Sequence, residues 1–496
     1  MNQPHSLRAN SGARLDRLPI GRFHWNLVGM IGAGLFLDAF DIYLQSGVLA
    51  TLVKSGWSTL QSNAAFISST LIGMWLGSLI GGYIGDKYGR RMAYQFNLAV
   101  FGLASIAAVF APSMTILIAL RFVMGVGLGA ELIIGYATLG EFVPSLARGR
   151  FGAILALLTN LSVTATGIVG YWAIPALGWR SMFALVGLGA LAVWFMRKSM
   201  PESPRWLESQ GRHEEADALL RSIEARFPDV PAWNTVAASI TAAASAQAAA
   251  PVAVLPGYPA LFKRPLLSRT VLTMIMSAVN MSVLYGLIAW FPTFLVKQGI
   301  AVTSTLGYTA VMGLGTPIGC LIGMALTDRI GRRVSIVSVL ALEAVAAAVY
   351  PTVHSPIELM VTGGVIMMCS ACITSLAFAV YIPELFPTDL RMRGSSLSAA
   401  VGRLASAGAQ GGIVTIFGIG GIFGVTSFLI GLIVLQILAL LVLGVNTRAR
   451  TLEEIEPADA TSVGGMTDAA ELSSHAAAPP MSRAGSAQGP STRLRV

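Results

Sequence analysis

The stretch "GGYIGDKYGRR" (Gly81–Arg91) decides the fold of this 496-residue chain, because a related stretch returns in its second half. "TDRIGRR" (Thr327–Arg333) repeats the acid, the glycine and the basic pair 242 residues later. "EFVPSLARGR", which begins at Glu141, returns 243 residues later as "ELFPTDLRMRG", which begins at Glu384. Two independent motifs whose spacings agree within one residue predict two similar halves, arranged in parallel along the chain.

The composition places both halves in a membrane. The chain is 54% hydrophobic and 11% charged, and its mean hydropathy is +0.70, whereas a soluble protein carries about 25% charged residues. A helix that rises 1.5 Å per residue needs about 20 apolar residues to cross the hydrocarbon core. Twelve segments are long enough to do so: 25–50, 62–84, 92–111, 113–139, 151–173, 180–196, 270–296, 304–327, 334–351, 357–382, 395–417 and 421–444. We therefore predict an all-α membrane protein with twelve transmembrane helices in two six-helix pseudo-repeats.

The distribution of basic residues predicts the orientation in the membrane. Of the 33 Lys and Arg residues, 28 lie in the two tails and the even-numbered connections, and only Lys54, Arg180 and Lys297 lie in the odd-numbered ones. Basic residues accumulate on the cytoplasmic side, so both termini are expected there. Two arginines fall inside segments. Arg403, about two turns from the cytoplasmic end of the eleventh segment, is expected to snorkel towards that side.

The same pattern divides the chain into five regions. They are a cytoplasmic N-terminal tail (1–22), an N-terminal half (23–198), a cytoplasmic linker (199–268), a C-terminal half (269–446) and a disordered cytoplasmic tail (447–496). In the linker, "SPRWLESQGRHEEADALLRSIEARF" has helical spacing and predicts an amphipathic helix. Its apolar side carries Leu207, Ala216, Leu219, Leu220 and Ile223.

The repeated charges predict a cytoplasmic gate. Ion pairs at the cytoplasmic ends of the spans can latch two halves in one state and break in the other. The alternative is that the basic pairs only set the topology, but the repetition of acids beside them favours a gate. The expected gate residues are Asp86, Arg90, Arg91, Glu141, Arg148, Asp328, Arg332, Arg333, Glu384 and Arg391.

These motifs resemble the signatures of the major facilitator superfamily. "GGYIGDKYGRR" is similar to the superfamily motif between spans 2 and 3, and "PESPRWLE" and "PELFPTDLRMRG" are similar to motifs of the sugar-porter and metabolite:proton symporter branches. "GARLDRLP" resembles inner-membrane metabolite transport proteins of enteric bacteria. The resemblance implies two halves that rock about a central cavity. The seventh segment reads "SAVNMSVLYGLIAW", which lacks the glutamine-rich motif usual in sugar porters. "DAFD" resembles a motif of aromatic-acid:proton symporters and tilts the substrate towards an organic acid.

Span 1 carries two carboxylates in an apolar stretch, "LFLDAFDIYLQSG" (residues 35–47). Asp38 and Asp41 are three residues apart and share a helix face, and Arg121 in span 4 lies at a similar depth. Ionisable residues inside a membrane are functional hypotheses by default, although a structural ion pair is the alternative. We expect Asp41 to carry a proton while Asp38 and Arg121 form the pair that biases it, with the reverse assignment also open. Glu131 is a second carrier or part of the gate.

The second half is expected to supply neutral hydrogen-bonding groups to the substrate cavity, such as Asn280, Tyr285 and Trp290. Asn160 in span 5 and Gln410 in span 11 fall near mid-depth and are also candidates for the cavity. For each of these residues simple packing is the alternative. Cys320, Cys369 and Cys372 lie in apolar segments and are interpreted as buried filler, not as a redox or metal site. The glycines 125, 127 and 129 are interpreted as helix packing.

These observations favour a secondary transporter that imports a small polar metabolite, an organic acid or a sugar-like compound, with protons. Proton-coupled efflux is the runner-up, and a non-transporting membrane sensor of the same fold is a third possibility. An enzyme is not expected, because no cluster resembles a nucleophile–base pair or a metal site. No metal, cofactor or nucleic acid is expected, and the protein is expected to act as a monomer in the bacterial inner membrane.

Overall fold

A computed structural model describes residues 10–231, 233, 258–264, 266–329, 331–387 and 390–445, apart from the side chains of 327–329 and 379. The low-complexity part of the linker and the C-terminal tail therefore lie outside the described residues. Regular structure within the described ranges is helical, and eleven of these helices are long and apolar enough to cross a membrane. The first six, named spans 1 to 6, are Arg22–Lys54, Leu60–Tyr88, Arg90–Val109, Met114–Phe142, Ser145–Leu177 and Arg180–Arg197.

The second half contains spans 7 to 12, several of them interrupted. Span 7 is Leu266–Ile288 followed by Phe291–Lys297, span 8 is Val302–Gly313 followed by Gly315–Arg329, and span 9 is Arg332–Val349 with a 3₁₀ turn at Tyr350–Thr352. Span 10 is Pro356–Ile373, a π-helical stretch Thr374–Tyr381, and Ile382–Glu384. Spans 11 and 12 form the continuous stretch Arg391–Leu443, which bends at Gly421, where φ is 57°. All twelve predicted segments overlap these helices, and the predicted fold class is confirmed.

Helix packing follows one scheme in both halves. In the N-terminal half, spans 1 and 5, 2 and 4, and 3 and 6 pack together, and in the C-terminal half the same pairing joins spans 7 and 11, 8 and 10, and 9 and 12. Close approach at one of these pairs depends on glycine. A side chain at Gly77 would overlap the backbone of Val126, and a side chain at Gly319, 242 residues later, would overlap the backbone of Met368. The repeat predicted from two short motifs therefore extends into the packing, and glycines 125, 127 and 129 pack against backbone as predicted.

The two halves meet along spans 1 and 7, 2 and 11, and 5 and 8. The Ser68 hydroxyl donates a hydrogen bond of 2.7 Å to the carbonyl of Ala407. Gly47 and Gly167 lie against residues of span 8, and a side chain at Gly167 would collide with the backbone of Ala310. Each span has one end near the repeated basic motifs and one end far from them. These contacts lie nearer the far ends, so the halves are closed against each other on the side opposite the basic motifs.

The described part of the linker forms two short helices, not the single helix predicted. Pro204–Ser209 and His213–Glu224 are separated at Gly211, where φ is 74°. The predicted apolar side is confirmed, because Leu207, Ala216, Leu220 and Ile223 are buried and Leu219 packs against them. A further helix before span 1, Ser11–Asp16, packs against the linker helices.

Candidate functional site

Arg121 is the ionic partner of Asp41. Both side chains have no exposed surface, and the Arg121 Nη1 donates a hydrogen bond of 2.5 Å to Asp41 Oδ2. Its Nη2 donates to the Asp41 carbonyl at 2.9 Å, and its Nε donates to Thr70 Oγ1 at 3.0 Å. The expectation that Arg121 neutralises one aspartate is confirmed, but its assignment to Asp38 is wrong. The sequence gives only the helix face and an approximate depth, and these do not distinguish two aspartates one turn apart.

Asp38 is buried without a comparable partner. It is 6% exposed, its Oδ2 is buried, and that atom has no hydrogen-bond partner among the described residues. The charged groups that act on it are Glu131, Arg197 and Asp41. Both carboxylates among them are engaged by arginines, Asp41 by Arg121 and Glu131 by Arg197. Asp38 is therefore the acid of span 1 that is left without a counter-charge of its own.

Glu131 forms a second buried ion pair, with Arg197 at the end of span 6. Arg197 Nη1 donates to Glu131 Oε1, and its Nε and Nη2 donate to the carbonyls of Met30 and Ile31 at 3.0 and 3.1 Å. Sequence reasoning missed this partner, because Arg197 was counted among the cytoplasmic topology charges. Its place as the last residue of span 6 gives no sign that the side chain turns inward and is only 1% exposed.

The neutral groups expected in the cavity are only partly available for a ligand. Trp290 Nε1 donates to Gln410 Oε1 at 2.8 Å, so these two residues engage each other. Asn160 Nδ2 donates to the carbonyl one turn earlier in its own helix at 2.8 Å. Asn280 is buried and its Oδ1 has no described partner. Tyr285 is half-buried, and both Arg121 and Arg403 act on it electrostatically.

The second half also contains two buried ionisable side chains, in addition to the neutral groups expected there. Arg403 does not snorkel, because it is only 9% exposed and lies beside Tyr285. Twelve residues of helix separate it from the start of its span, which corresponds to about 18 Å. Glu343 in span 9 is 1% exposed and accepts a hydrogen bond from the Ser370 hydroxyl of span 10. Arg403 was recognised in the sequence as an arginine inside a span, but its burial was not expected. Glu343 was missed, and its isolation within an apolar segment is the signal that could have identified it.

The first copy of the gate motif forms a compact cluster. Arg90 pairs with Asp86 at 2.8 Å and with Glu141 at 2.9 Å, which ties spans 2, 3 and 4 together. Gly89 before it has a φ of 98°, a conformation that favours glycine. Trp206 of the linker donates from Nε1 to the Asp86 carbonyl at 2.8 Å, so the linker is attached to the gate.

The second copy is similar. Arg332 pairs with Glu384 at 2.7 Å, and Gly331 has a φ of 97°. Both clusters thus join helices of their own half in this conformation. The other predicted gate residues make contacts of different kinds. Arg91 donates to the Lys198 carbonyl, Arg148 reaches Asp16 at 3.4 Å, and Arg333 donates to the Leu441 carbonyl. Arg391 is the first residue of span 11, and the Asp328 side chain lies outside the described residues.

The cysteines are buried and unbridged, as expected. Within the described ranges, no group of three or more His, Cys, Asp or Glu side chains is arranged to hold a metal ion.

Comparison with known proteins identifies the family. The model of the family described as "Sugar (and other) transporter" matches residues 25–458. The chain belongs to this family. An inner membrane metabolite transport protein, YdjE, of Escherichia coli is 38% identical over 90% of this chain and 98% of that protein. The niacin transporter NiaP of Acinetobacter baylyi is 29% identical over 89% of this chain and 99% of that protein.

A solved structure supports the same fold. The partially occluded inward-open conformation of the E. coli xylose transporter XylE matches with a TM-score of 0.70 over 87% of this chain and all of that chain, at 17% identity. The fold expected from the resemblance to the major facilitator superfamily is therefore confirmed. This family member is a membrane transporter and not an enzyme.

Proposed function

We propose that this transporter imports a small polar metabolite together with protons across the bacterial inner membrane by alternating access. The observation that carries the proposal is Asp38, a buried carboxylate without a counter-charge beside two complete ion pairs. The names of the relatives, which include inner membrane metabolite transport proteins and a proton:xylose symporter, agree with this assignment.

Asp38 replaces Asp41 as the proposed proton carrier. Burial disfavours the charged form of a carboxylate, whereas a guanidinium in contact favours it. Asp41 has such a contact and Glu131 has another, and each contact favours the anionic form of its acid. Asp38 has none, and a bound proton removes the cost of its charge. A change of access that admits water or moves Arg197 closer to Asp38 would release the proton.

The conformation of the halves and the distribution of basic residues support an assignment of the state and of the orientation in the membrane. The halves touch on the side remote from the gate clusters, so we assign this conformation to the cytoplasm-facing state. The 28 basic residues of the tails and even-numbered connections support the assignment of both termini to the cytoplasm. In the opposite, outward-facing state the gate clusters would join the two halves. The cavity, the gate and the proton-coupling residues all belong to a single chain, so the proposed functional unit is a monomer.

The test is uptake into proteoliposomes with and without an imposed pH gradient. Asp38→Asn mimics the protonated acid, so the variant should bind ligand and exchange it across the membrane but lose accumulation driven by the gradient. Glu214→Gln, which changes an exposed acid of the linker, is the matched control and should accumulate ligand normally. Gradient-driven accumulation by Asp38→Asn at the wild-type level would refute the proton role. Accumulation only when the gradient is reversed would identify an exporter.

A further inference from the structure

We propose that Arg403 binds the carboxylate of the transported molecule, so that the substrate is a small organic acid and not a neutral sugar. The inference rests on the proposed function, since it names the substrate class of the same central site. It also assigns a role to a residue that the proton mechanism does not use.

Arg403 is a buried cation without an anion. Arg403 takes part in none of the ion pairs or side-chain hydrogen bonds of the described residues. Its nitrogen atoms are not among the fully enclosed polar atoms that lack a partner, so the guanidinium keeps some accessible surface although the residue is only 9% exposed. A buried charge is costly unless it is paired. The other buried arginines of the spans, Arg121 and Arg197, each hold an acid. The missing anion is therefore expected to come from outside the chain.

The position of Arg403 on its helix directs it to the boundary between the halves. Ser406 and Gln410 bond to span 7, while Ala407 accepts a hydrogen bond from Ser68 of span 2. At 3.6 residues per turn, Gln410 lies about 40° around the helix from Ser406, and Ala407 lies about 100° from it. Arg403 lies about 60° from Ser406 on the same side. Its side chain thus leaves the helix between the face on span 7 and the face on span 2.

Tyr285 connects this arginine with the proton-coupling region. The charges of both Arg403 and Arg121 act on the tyrosine, which is half-buried. A guanidinium presents a planar fork that matches a carboxylate with two hydrogen bonds. The Tyr285 hydroxyl, which is near enough to be influenced by both arginines, is a further hydrogen-bond donor available to such a carboxylate.

Charge balance links the anion to the proton. The two buried ion pairs, Asp41–Arg121 and Glu131–Arg197, are each neutral. Glu343 is a further buried acid, but its span 9 packs mainly against spans 10 and 12 of its own half. On the spans that meet across the halves, this leaves Asp38 and Arg403, with one charge of each sign. A bound carboxylate alone leaves an excess negative charge, and a bound proton alone leaves an excess positive charge. Both together restore neutrality, so the two should bind cooperatively, and transport of one proton with one carboxylate should move no net charge.

The experiment is equilibrium binding to the purified full chain in detergent, by thermal shift and calorimetry, with no gradient present. The probes are matched pairs that differ in the carboxylate: nicotinate and nicotinamide, benzoate and benzamide, gluconate and glucose. Binding is expected for at least one acid and not for its neutral partner. Arg403→Gln should weaken that acid about 10- to 100-fold, as loss of a charged hydrogen-bonding partner predicts. Arg403→Lys should fall between the two, and Arg212→Gln, an exposed linker arginine, should bind like wild type.

Several results would overturn the proposal. They are binding of no acid in the panel, equal binding of an acid and its neutral partner, or unchanged binding of the acid by Arg403→Gln. The thermal midpoint of ligand-free protein separates a binding role from a structural one. An unpaired buried cation costs stability, so Arg403→Gln should leave the midpoint unchanged or raise it, and a clear fall would mark Arg403 as structural. Because no gradient is involved in the binding assay, the two proposals fail separately: wild-type gradient-driven accumulation by Asp38→Asn, with acid binding that still depends on Arg403, would refute only the proposed function.

Discussion

The two aspartates of span 1 should differ sharply in what they contribute to stability. Asp41→Asn leaves the fully buried Arg121 without its counter-charge. Loss of one partner from a buried ion pair costs about 3–5 kcal/mol. The amide oxygen of asparagine can still accept one hydrogen bond, so we expect about 3 kcal/mol, which raises the unfolding constant by about two orders of magnitude. Asp38→Asn breaks no ion pair and no described hydrogen bond, and it should be neutral within about 0.5 kcal/mol or stabilising.

The assay is unfolding in mixed micelles with increasing SDS, followed by tryptophan fluorescence. The double variant Asp41→Asn/Arg121→Gln should cost less than the sum of its two single variants, because the second change removes the charge that the first left unpaired. Equal destabilisation by Asp38→Asn and Asp41→Asn would contradict the pairing seen in the structure. So would strict additivity in the double variant.

Three further predictions concern the cytoplasmic side. Arg90→Ala should lower turnover in uptake assays and leave ligand affinity nearly unchanged in binding assays, because Arg90 lies in the gate and outside the central site. If the folded variant lost ligand binding, Arg90 would have to take part in binding itself. Burial opposes ionisation of Glu224, but hydrogen bonds from Arg14 and Arg17 outweigh it and lower the pKa of this carboxyl. Docking of the N-terminal segment is thus fully stabilised above about pH 4.3, the unfolded value, and weakens as the pH falls through the lower folded pKa. Hydrogen exchange should show that loosening, and Arg14→Ala should reproduce it at neutral pH, at a cost of about 2 kcal/mol. A cysteine placed at Ile240 in a cysteine-free background should react only from the cytoplasmic side, and labelling from the periplasm would invert the topology.

Much of the fold was predictable from the sequence. Long apolar runs must form helices in a bilayer, where backbone groups have no water to bond, and the repeated motifs revealed the two halves. The ion pairs of Arg90 and Arg332 were also predictable. Asp86 lies one helical turn before Arg90, and Glu384 ends span 10 on the same side of the protein where Arg332 begins span 9, so each acid is close enough to pair. The break at Gly211 was harder to foresee, because the apolar spacing continues across it.

The ionic partners at membrane depth were decided by the tertiary structure alone. The sequence by itself established that Asp38, Asp41, Arg121 and Glu131 lie within the spans, because each interrupts an apolar run. It could not determine which acid each arginine meets. Side chains one helical turn apart are only about 5 Å apart, so the rotation and height of the packed helices decide between them. Packing places Arg121 on Asp41, turns Arg197 inward to Glu131, and leaves Asp38 without a partner. In a medium of low dielectric such placement determines which group keeps its charge and which can release it.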